Sequence, residues 1–419
     1  MMTQSRAFRL ALLTSAAVIV ASCGGSGSNS SSPPPPPASA NAVTMSVDGG
    51  PLDANSMPQG TINQAYVTIN VCVPGTSTCQ KIDHVWVDTG SVGLRLFAST
   101  FTSQLPTETQ GSNPVANCIQ FVSSSYMWGA MRTADVTIGG KSASAMPIQI
   151  VNDTAVPSTA PSACGGTAIS TVGGLGANGL LGLAYFQQDC GLACQNAATA
   201  PFYYTCPGGT CSAVAMPMTM QNQNVAGLFS SDNNGVLVQM QSLPNGTAST
   251  ASGSLIFGIN TQSNNQLGSA GVFAADPTSG FIQTSTTYGD LSEPESYVDS
   301  GTNFWQFNSS LTPCSGTNNV GFYCPAMTTA LSATMLPYNS PLNTTRFAFN
   351  FSIADISTLT GNAMNNVGGP SVSPCGSGTN PPCTFAWGLP FFYGRNVFFA
   401  LEGTTINGNT GPFVAASVP

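Results

Sequence analysis

Short runs of hydrophobic and β-branched residues, separated by Gly, Pro, Asn and Ser, follow one another along most of this chain. Helical periodicity is scarce, and short apolar runs bounded by turn residues are typical of β-strands. The pattern therefore predicts a mostly β protein. The clearest predicted strands cover residues 65–73, 82–87, 132–138, 144–151, 235–241, 254–259, 346–356 and 397–401.

Several connections between these runs are longer than the usual loops of compact domains. We interpret them as rims of a functional site or as excursions held by disulfides. They cover residues 102–116, 153–177, 308–323 and 361–384. A polar loop at residues 242–253 predicts a boundary between an N-terminal lobe, residues 45–243, and a C-terminal lobe, residues 244–419.

The first 22 residues are typical of an export signal. Arg6 and Arg9 precede an apolar run, residues 10–21, that is too short to span a bilayer as a stable helix. The run ends in Val-Ala-Ser-Cys23, which resembles the bacterial lipobox, so we expect cleavage before Cys23 and acylation of that residue. An ordinary signal peptide that happens to contain a Cys is the alternative.

The residues after Cys23 predict a spacer at the cell envelope. Residues 23–44 are rich in Gly, Ser and Pro, with five consecutive prolines, and such a segment forms a semi-rigid tether rather than a core. Gly24 follows the lipobox Cys where inner-membrane retention signals carry Asp. The resemblance to these sorting signals therefore implies an outer-membrane lipoprotein, periplasmic or surface-facing, anchored to the membrane at Cys23.

Charge is sparse and negative. Charged residues make up 6% of the chain and hydrophobic residues 42%, so the chain folds around a core and is not disordered. Loss of Arg6 and Arg9 leaves six basic residues against 16 acidic ones. No basic stripe is available for a phosphate backbone, which argues against a nucleic-acid partner.

Cysteine content predicts disulfides. Removing Cys23 from the 13 cysteines leaves an even number, and exported proteins oxidise their thiols. The short-range candidate pairs are Cys72–Cys79, Cys314–Cys324 and Cys375–Cys383, which leaves Cys118 and Cys164 for each other. The pairing of Cys190, Cys194, Cys206 and Cys211 stays open, and a zinc site there is the competing interpretation.

The candidate chemistry lies in two similar phrases, Asp88-Thr89-Gly90-Ser91 and Asp299-Ser300-Gly301-Thr302. Each follows a strand-like stretch, so the chain makes the same carboxylate-bearing turn twice. Gly90 and Gly301 suit a turn that needs backbone freedom and close approach. Ser91 and Thr302 are placed to orient the carboxylates by hydrogen bonds. Two facing carboxylates that share one proton activate water.

These phrases and two further landmarks resemble the pepsin-like aspartic proteases. In that family's order, residues 178–185 (NGLLGLAY) follow the first Asp turn, and residues 386–391 (AWGLPF) follow the second. The resemblance covers roughly residues 65–406 and implies an all-β, two-lobed fold with a cleft between pseudo-symmetric lobes. The lipobox together with residues 388–395 (GLPFFYGR) looks like a bacterial lipoprotein branch of that superfamily.

The resemblance implies roles for the site residues. Asp88 and Asp299 would be catalytic, one deprotonating a bridging water and the other protonating the peptide carbonyl oxygen. Thr89 and Ser300 would link the two turns across the lobe interface. The substrate would be a peptide or protein, and the reaction would need no cofactor and no metal. We expect the protein to act as a monomer.

Departures from the family pattern fall near the expected flap. Val122 stands where the family's flap carries Tyr, so Tyr126 or Trp128 is the candidate substitute, with core filling of the hairpin as the alternative. Trp387 replaces the usual Leu or Ile and is expected to crowd the second active turn. His84, the single histidine, is expected to be structural, and Arg395 to pair with a carboxylate.

These observations favour an exported, lipid-anchored aspartic endopeptidase-like protein. The alternative is a non-catalytic pepsin-fold lipoprotein that binds peptide or glycan, which the altered flap and sparse surface charge would suit. A surface-layer or adhesion protein without a defined cleft is the third hypothesis, and it requires the two Asp carboxyl groups to lie far apart.

Overall fold

A computed structural model describes residues 40–199, 201–286, 292–315, 319–338, 346–371 and 384–417. These residues lie in one compact unit, Ala38–Pro419. The predicted signal peptide, Cys23, the tether up to residue 39 and the predicted Cys375–Cys383 pair lie outside the described residues. In the described ranges, no helix has the length and apolar character needed to cross a membrane.

The described residues form mainly strands. In the first part of the chain these are β1 (Ala42–Val47), β2 (Ala65–Cys72), β3 (Cys79–Asp88), β4 (Val92–Phe97), β5 (Thr109–Gln110), β6 (Asn113–Gln120), β7 (Ser125–Ile138), β8 (Lys141–Val151), β9 (Thr167–Ala168), β10 (Gly179–Leu183), β11 (Tyr203–Thr205), β12 (Ser212–Ala213) and β13 (Gly235–Met240).

The strands of the second part are generally shorter. They are β14 (Thr247–Ala248), β15 (Ala251–Phe257), β16 (Gly271–Ala274), β17 (Ile282–Thr286), β18 (Ser292–Val298), β19 (Trp305–Gln306), β20 (Thr329–Leu336), β21 (Phe347–Ile353), β22 (Ala363–Met364), β23 (Gly368–Gly369), β24 (Ala386–Trp387), β25 (Asn396–Ala400), β26 (Thr405–Ile406), β27 (Asn409–Thr410) and β28 (Phe413–Ala416).

Helices in the described residues are single turns. The α-helices are α1 (Val172–Leu175), α2 (Leu192–Asn196) and α3 (Leu389–Phe392). The 3₁₀-helices are Ala98–Thr100, Ser162–Cys164, Pro207–Gly209, Met218–Met220, Val225–Leu228 and Ile356–Thr358. The scarcity of helical periodicity in the sequence agrees with this, and the predicted mostly β class is confirmed.

Two sheets hold most of the strands. The larger one joins β1–β13 to β15, β16, β25 and β28, so that strands from both ends of the chain share a sheet. In it, β15 pairs with β1 and with β13, and β13 also pairs with β25. The smaller sheet has the order β21-β20-β17-β18-β24-β19-β23. The predicted lobe boundary at residues 243 and 244 stays a prediction.

The predicted strands are present, and most of their ends shift by three residues or fewer. The strand predicted at residues 132–138 is longer, because β7 begins at Ser125. The predicted loop at residues 102–116 is partly wrong, because it contains β5 and the beginning of β6. This strand was not predicted because it contains Pro114, and a proline inside an apolar run argues against a central strand. In the structure β6 is nevertheless paired, with β7 on one side and β11 on the other.

The core joins residues from both parts of the chain, from Met45 to Ala416. Its second half is unusually aromatic. Trp305 stacks on Phe351 with ring centroids 4.4 Å apart, and Trp387 lies 5.8 Å from Trp305 in an edge-on arrangement. Such contacts contribute beyond the area they bury. This aromatic cluster supports the strands that lead into the second Asp turn.

Glu293, in β18, is a buried carboxyl group whose two oxygens have no hydrogen-bond partner among the described residues. Burial raises the pKa of Glu293 to about 8 from its usual 4.5. An acid with a raised folded-state pKa favours folding fully below its unfolded pKa, and that contribution disappears as pH rises through the folded pKa. We therefore expect the free energy of unfolding to fall between about pH 4.5 and about pH 8, by about 5 kcal/mol.

Glu293→Gln should remove most of this fall, because the amide does not ionise. Glu295→Gln, two residues along the same strand and only half-buried, is the matched control and should leave the fall unchanged. Urea unfolding at a series of pH values measures both. If the free energies of unfolding of the wild type and Glu293→Gln changed in parallel with pH, this prediction would be contradicted.

Candidate active site

The first Asp turn is positioned by parallel strands. Strand β3 becomes fully buried over its last four residues, which end at Asp88. Strand β10 runs parallel to it and places Gly182 opposite Asp88. Gly182 has no room for a side chain, because a Cβ there would lie 2.7 Å from backbone atoms of Val92. The predicted landmark at residues 178–185 thus supports the turn.

The second Asp turn repeats this arrangement in the smaller sheet. Strand β18 leads into Asp299, and β24 runs parallel to β18 with Val298 opposite Trp387. The backbone N–H of Asp299 donates to the Trp387 carbonyl oxygen over 3.0 Å. The two Asp-bearing turns therefore come from different sheets, and each is supported by its own downstream strand.

Each carboxylate is held by the residues that follow it. The Gly90 N–H and the Ser91 hydroxyl donate to Asp88 Oδ1 and Oδ2 over 2.8 and 2.5 Å. At the second turn, the Gly301 N–H and the Thr302 hydroxyl donate to Asp299 over 2.7 and 2.8 Å. The structure brings these predicted site residues together in one place.

Thr89 and Ser300 join the two turns. The Ser300 N–H donates to Thr89 Oγ1 over 2.9 Å, and the Thr89 N–H donates to Ser300 Oγ over 3.2 Å. Ser300 Oγ also donates to the Val87 carbonyl oxygen over 2.7 Å. These reciprocal bonds cross between the sheets and fix the relative position of the two aspartates.

Gly90 and Gly301 allow the turns to approach closely. A Cβ on Gly90 would lie 2.7 Å from Asp299 Cγ, and one on Gly301 would lie 2.8 Å from Asp88 Cγ. Each glycine therefore faces the carboxyl group of the opposite turn. The sequence requirement for glycine at both positions follows from this geometry.

The two carboxyl groups interact directly. Burial, the charge of Asp88 and a hydrogen bond between the two side chains raise the pKa of Asp299 well above its usual value. Asp88 and Asp299 are 6% and 8% exposed. Two such acids release their protons in steps that belong to the pair. The arrangement is one in which two adjacent carboxyl groups can share a single proton.

A cleft of about 670 Å³ lies over the two carboxyl groups. Its lining is largely apolar and aromatic, and the ionisable residues among those described in it are Asp88, Asp189, Asp299, Tyr185 and Tyr297. The cleft carries no lysine or arginine in its described lining. The cleft and the two adjacent carboxyl groups do not fit the third hypothesis, which required separated aspartates and no cleft.

The β6–β7 hairpin forms one wall of the cleft. Phe121 and Val122 at its tip line the cleft, and Val122 is 68% exposed. Tyr126 and Trp128 do not line it. Trp128 Nε1 donates to the Pro157 carbonyl oxygen over 2.7 Å, and its ring packs edge-on against Tyr204.

These positions correct the interpretation of Tyr126 and Trp128 as flap aromatics. Tyr126 is half-buried against the same cluster as Trp128, so both residues fill the core of the hairpin. Phe121 is the aromatic residue of the tip that faces the cleft. No local pattern singles it out, since the strand register decides which face of a hairpin a residue occupies.

The hairpin is braced at its outer side. A disulfide joins Cys118 to Cys164, and Gln120 Nε2 donates to the Cys164 carbonyl oxygen over 2.6 Å. Strand β9 runs parallel to β7, and the Thr167 N–H donates to the Ser124 carbonyl oxygen over 3.0 Å. The predicted Cys118–Cys164 pair is confirmed and fixes the wall of the cleft.

Replacing Cys118 and Cys164 together by Ala should loosen this wall. The disulfide spans 46 residues, and its loss should cost about 4 kcal/mol by the loop-entropy relation. We expect a trace of added protease to cleave the double variant within residues 119–125. Removing the Cys72–Cys79 disulfide, which spans 7 residues, should cost about 2 kcal/mol without exposing this hairpin. Equal protease resistance of the wild type and the Cys118/Cys164 variant would count against the bracing role.

The other disulfides in the described residues are short. Cys72–Cys79 and Cys314–Cys324 pair as predicted. The cysteine cluster, whose pairing the sequence leaves open, forms Cys190–Cys194 and Cys206–Cys211. Its sulfurs are thus bonded to each other rather than available as the thiolates that a zinc site needs.

Two further residues differ from expectation. Trp387 does not crowd the turn, because its indole lies buried in the aromatic cluster and donates to Thr284 Oγ1 over 2.9 Å. Arg395 pairs with no carboxylate among the described residues. Its guanidinium lies 4.9 Å from the centre of the Phe391 ring and donates to the Phe391 carbonyl oxygen over 2.7 Å. A cation over an aromatic face replaces the expected ion pair.

His84 has the structural role that we expected. It contacts Asp48 and Asp83 over 3.4 and 2.9 Å and lies edge-on to Tyr66. The hydrogen bond to Asp48 raises the pKa of His84. It does not line the cleft.

Comparisons with known proteins agree with this geometry. Residues 37–416 match the profile of the family described as "Protein of unknown function (DUF3443)". A comparison with curated proteins found no match. Among solved structures, the crystal structure of aspartic proteinase from Irpex lacteus matches with a TM-score of 0.52 and 16% identity. The match covers 90% of this chain and 96% of that one, and it shows that this chain has a pepsin-like aspartic proteinase fold.

Proposed function

Because this chain belongs to the DUF3443 family, whose description states no activity, we propose a function from its site. The protein hydrolyses peptide bonds with a water molecule activated between Asp88 and Asp299. The observation that carries this proposal is the meeting of two oriented carboxyl groups beneath a cleft. Each carboxyl group is fixed by a backbone N–H and a hydroxyl group of its own turn.

The proposed reaction uses one proton of the pair. The ionised carboxylate accepts a proton from the water as the water oxygen bonds to the peptide carbonyl carbon. The protonated carboxyl group donates its proton to the carbonyl oxygen, which gives a geminal diol. The bond between carbon and nitrogen then breaks as nitrogen takes a proton from the carboxyl group that the water protonated. One hydroxyl group of the diol gives its proton to the other carboxylate as the carbonyl re-forms, so that an amine and a carboxylic acid leave and the pair again holds one proton. The step forms no covalent bond to the protein.

The cleft favours an uncharged segment of an extended peptide. Aromatic residues from both parts of the chain line it, such as Phe121 in the β6–β7 turn and Phe304 just before β19, and its described charges are all carboxyl groups. An acidic substrate side chain would be repelled there. We therefore expect cleavage of unfolded protein or peptide at sites without Asp or Glu next to the cleaved bond.

An unfolded protein substrate tests the proposal. The purified protein is incubated with it at several pH values, and mass spectrometry identifies new amino termini. We expect cleavage that a statine-type peptide blocks, because its hydroxyl group replaces the water between the carboxyl groups. Absence of cleavage across acid and neutral pH, together with absence of statine binding, would contradict the proposal.

A non-catalytic binding role is the second candidate, and the hairpin tip favours it. Val122 offers no hydroxyl group over the two carboxyl groups, and Tyr126 and Trp128 pack into the hairpin core. Such a protein would hold a peptide or glycan in the cleft. Peptide or glycan binding that survives the combined substitution Asp88→Asn and Asp299→Asn would favour this role, and its loss would count against it.

We also propose that the protein is a bacterial outer-membrane lipoprotein, acylated at Cys23. The lipobox-like sequence and the Gly/Pro-rich tether support this placement. The disulfides fit a secreted or envelope protein. Cys23→Ser should abolish incorporation of labelled palmitate and release the protein from the membrane fraction. Unchanged fractionation of Cys23→Ser would contradict the anchor. A single monomeric species in sedimentation is expected for the released protein.

A further inference from the structure

Arg95 is a fully buried cation behind the first Asp turn. It lies in β4, seven residues after Asp88, and its side chain has no exposed surface. Its Nη1 donates to the carbonyl oxygens of Val92 and Gly93 over 2.6 and 3.4 Å. These carbonyl groups belong to the chain segment that leaves the Asp88 turn. The guanidinium is therefore hydrogen-bonded to the segment that directly follows the Asp88 turn.

Asp189 balances this charge from the other side. Its carboxylate lies 3.3 Å from Arg95 Nη2 and is only 1% exposed. Tyr203 donates its hydroxyl hydrogen to Asp189 Oδ1 over 2.5 Å, and Asn117 Nδ2 donates to Oδ2 over 3.2 Å. Burial lowers the pKa of Arg95 and raises the pKa of Asp189, and the attraction between them opposes both shifts. Because the pKa of Asp189 is raised to about 6, the pair is ionic above that pH, and the bonds from Tyr203 and Asn117 orient it.

The positive end of this pair lies behind Asp88. Gly182 of β10 stands opposite both Asp88 and Gly93, and Arg95 binds the Gly93 carbonyl oxygen. The negative charge of Asp88 raises the pKa of Arg95, whereas Asp88 is not among the groups that shift the pKa of Asp189. A buried ion pair gives little net stability compared with apolar residues of the same volume. Its position behind the turn therefore suggests an electrostatic role at the site in addition to packing.

We propose that Arg95 is a positioning residue that makes Asp88 the ionised member of the pair and leaves the shared proton on Asp299. Its guanidinium favours negative charge on Asp88 through the low-dielectric interior. Asp189 keeps the guanidinium in place without cancelling its effect on Asp88. This assignment rests on the proposed function. In that reaction, Asp88 accepts the proton of the water, and Asp299 donates its proton to the carbonyl oxygen.

The other ionisable groups facing the two carboxyl groups do not compete for this role. Tyr185 and Tyr297 line the cleft, and burial together with the charge of Asp299 raises the pKa of each. Tyr203 has its pKa raised by burial and by Asp189. All three tyrosines stay neutral from acid to neutral pH. Among the described residues, Arg95 is then the cation that distinguishes Asp88 from Asp299.

Three variants of the full chain test the inference: Arg95→Met, Arg95→Lys, and Arg95→Met combined with Asp189→Asn. The combined variant leaves no unpaired charge and keeps the proposal testable if Arg95→Met fails to fold. The first readout is the pH dependence of kcat/KM on a peptide substrate. We expect the acid limb to move upward by about one pH unit when the cation is removed, and Arg95→Lys to restore most of the wild-type profile.

A second readout does not depend on activity. Carboxyl titration by NMR, with ¹³C-labelled aspartate and assignment through Asp88→Asn and Asp299→Asn, follows the two proton-release steps of the pair. The first step should move to higher pH in the variants without the cation. If these variants lose stability but both steps stay at their wild-type pH, Arg95 is only structural and the inference is overturned. A shifted first step in a protein that cleaves no peptide would support the inference and contradict the proposed function.

Discussion

Asp88→Asn should strongly reduce peptide hydrolysis. An amide cannot take the proton of the attacking water, and it cannot share a proton with Asp299. We expect kcat to fall by about 10²- to 10⁴-fold. Asp299→Asn should have an effect of similar size, and the double variant should be little worse than either, because the two carboxyl groups act as a unit. Initial rates of cleavage of one peptide by the three variants measure this.

The control for these variants is Asp83→Asn. Asp83 lies on the same strand, β3, is exposed, and bonds to Asn178 and His84 rather than to the site. Its substitution should leave kcat unchanged. Circular dichroism and thermal unfolding establish that each variant is folded. Full hydrolysis by a folded Asp88→Asn variant would rule out the proposed mechanism, whatever the behaviour of Asp83→Asn.

Gly301→Ala should inactivate the protein nearly as completely. The new methyl group would lie 2.8 Å from Asp88 Cγ, and neither turn can move away easily. Asp88 is held by the Gly90 N–H over 2.8 Å, and the Gly301 N–H is bonded to Asp299 over 2.7 Å. We expect the carboxyl groups to separate, with a loss of activity of the same order as for Asp88→Asn and a cost of about 1 to 3 kcal/mol. Activity and urea unfolding measure the two effects.

Gly173→Ala is the matched control for this substitution. Gly173 lies in the exposed helical turn α1, and the nearest atom to a new methyl group would be the end of the Gln59 side chain at 3.4 Å. This variant should keep its activity and stability. If Gly301→Ala were as active as Gly173→Ala, the close approach of the two turns would not exist in solution.

The Asp turns and their supporting strands were predictable from the sequence because their signals are local. A hydrophobic strand followed by Asp, a hydroxyl residue and Gly occurs twice, and each has its apolar-apolar-Gly partner downstream. The hydrogen bonds of Ser91 and Thr302, and the link between Thr89 and Ser300, follow once the two turns face each other. Turn chemistry therefore indicated the two Asp turns and their hydroxyl partners, whereas the partner segments downstream and the link between Thr89 and Ser300 came from the resemblance to pepsin-like aspartic proteases.

The surroundings of the site depend on long-range packing, which short patterns do not encode. Tyr126 and Trp128 are aromatic residues in a hairpin, but register and the braces from Cys164 and Thr167 direct them into the core. Arg95 and Asp189 were missed because 94 positions separate them. A signal for Arg95 existed, since it interrupts the apolar run of β4 and is one of the few basic residues. A charge inside a buried strand indicates a partner.

The pH dependence of peptide hydrolysis by the wild type is the most direct test of the proposed mechanism. Two carboxyl groups that share one proton give a bell-shaped profile of kcat/KM, with a maximum where the pair holds a single proton. We predict such a profile, and its disappearance in Asp88→Asn. Cleavage by that variant at the wild-type rate, or no cleavage at any pH by a folded wild-type protein, would contradict the claim that Asp88 and Asp299 activate water together.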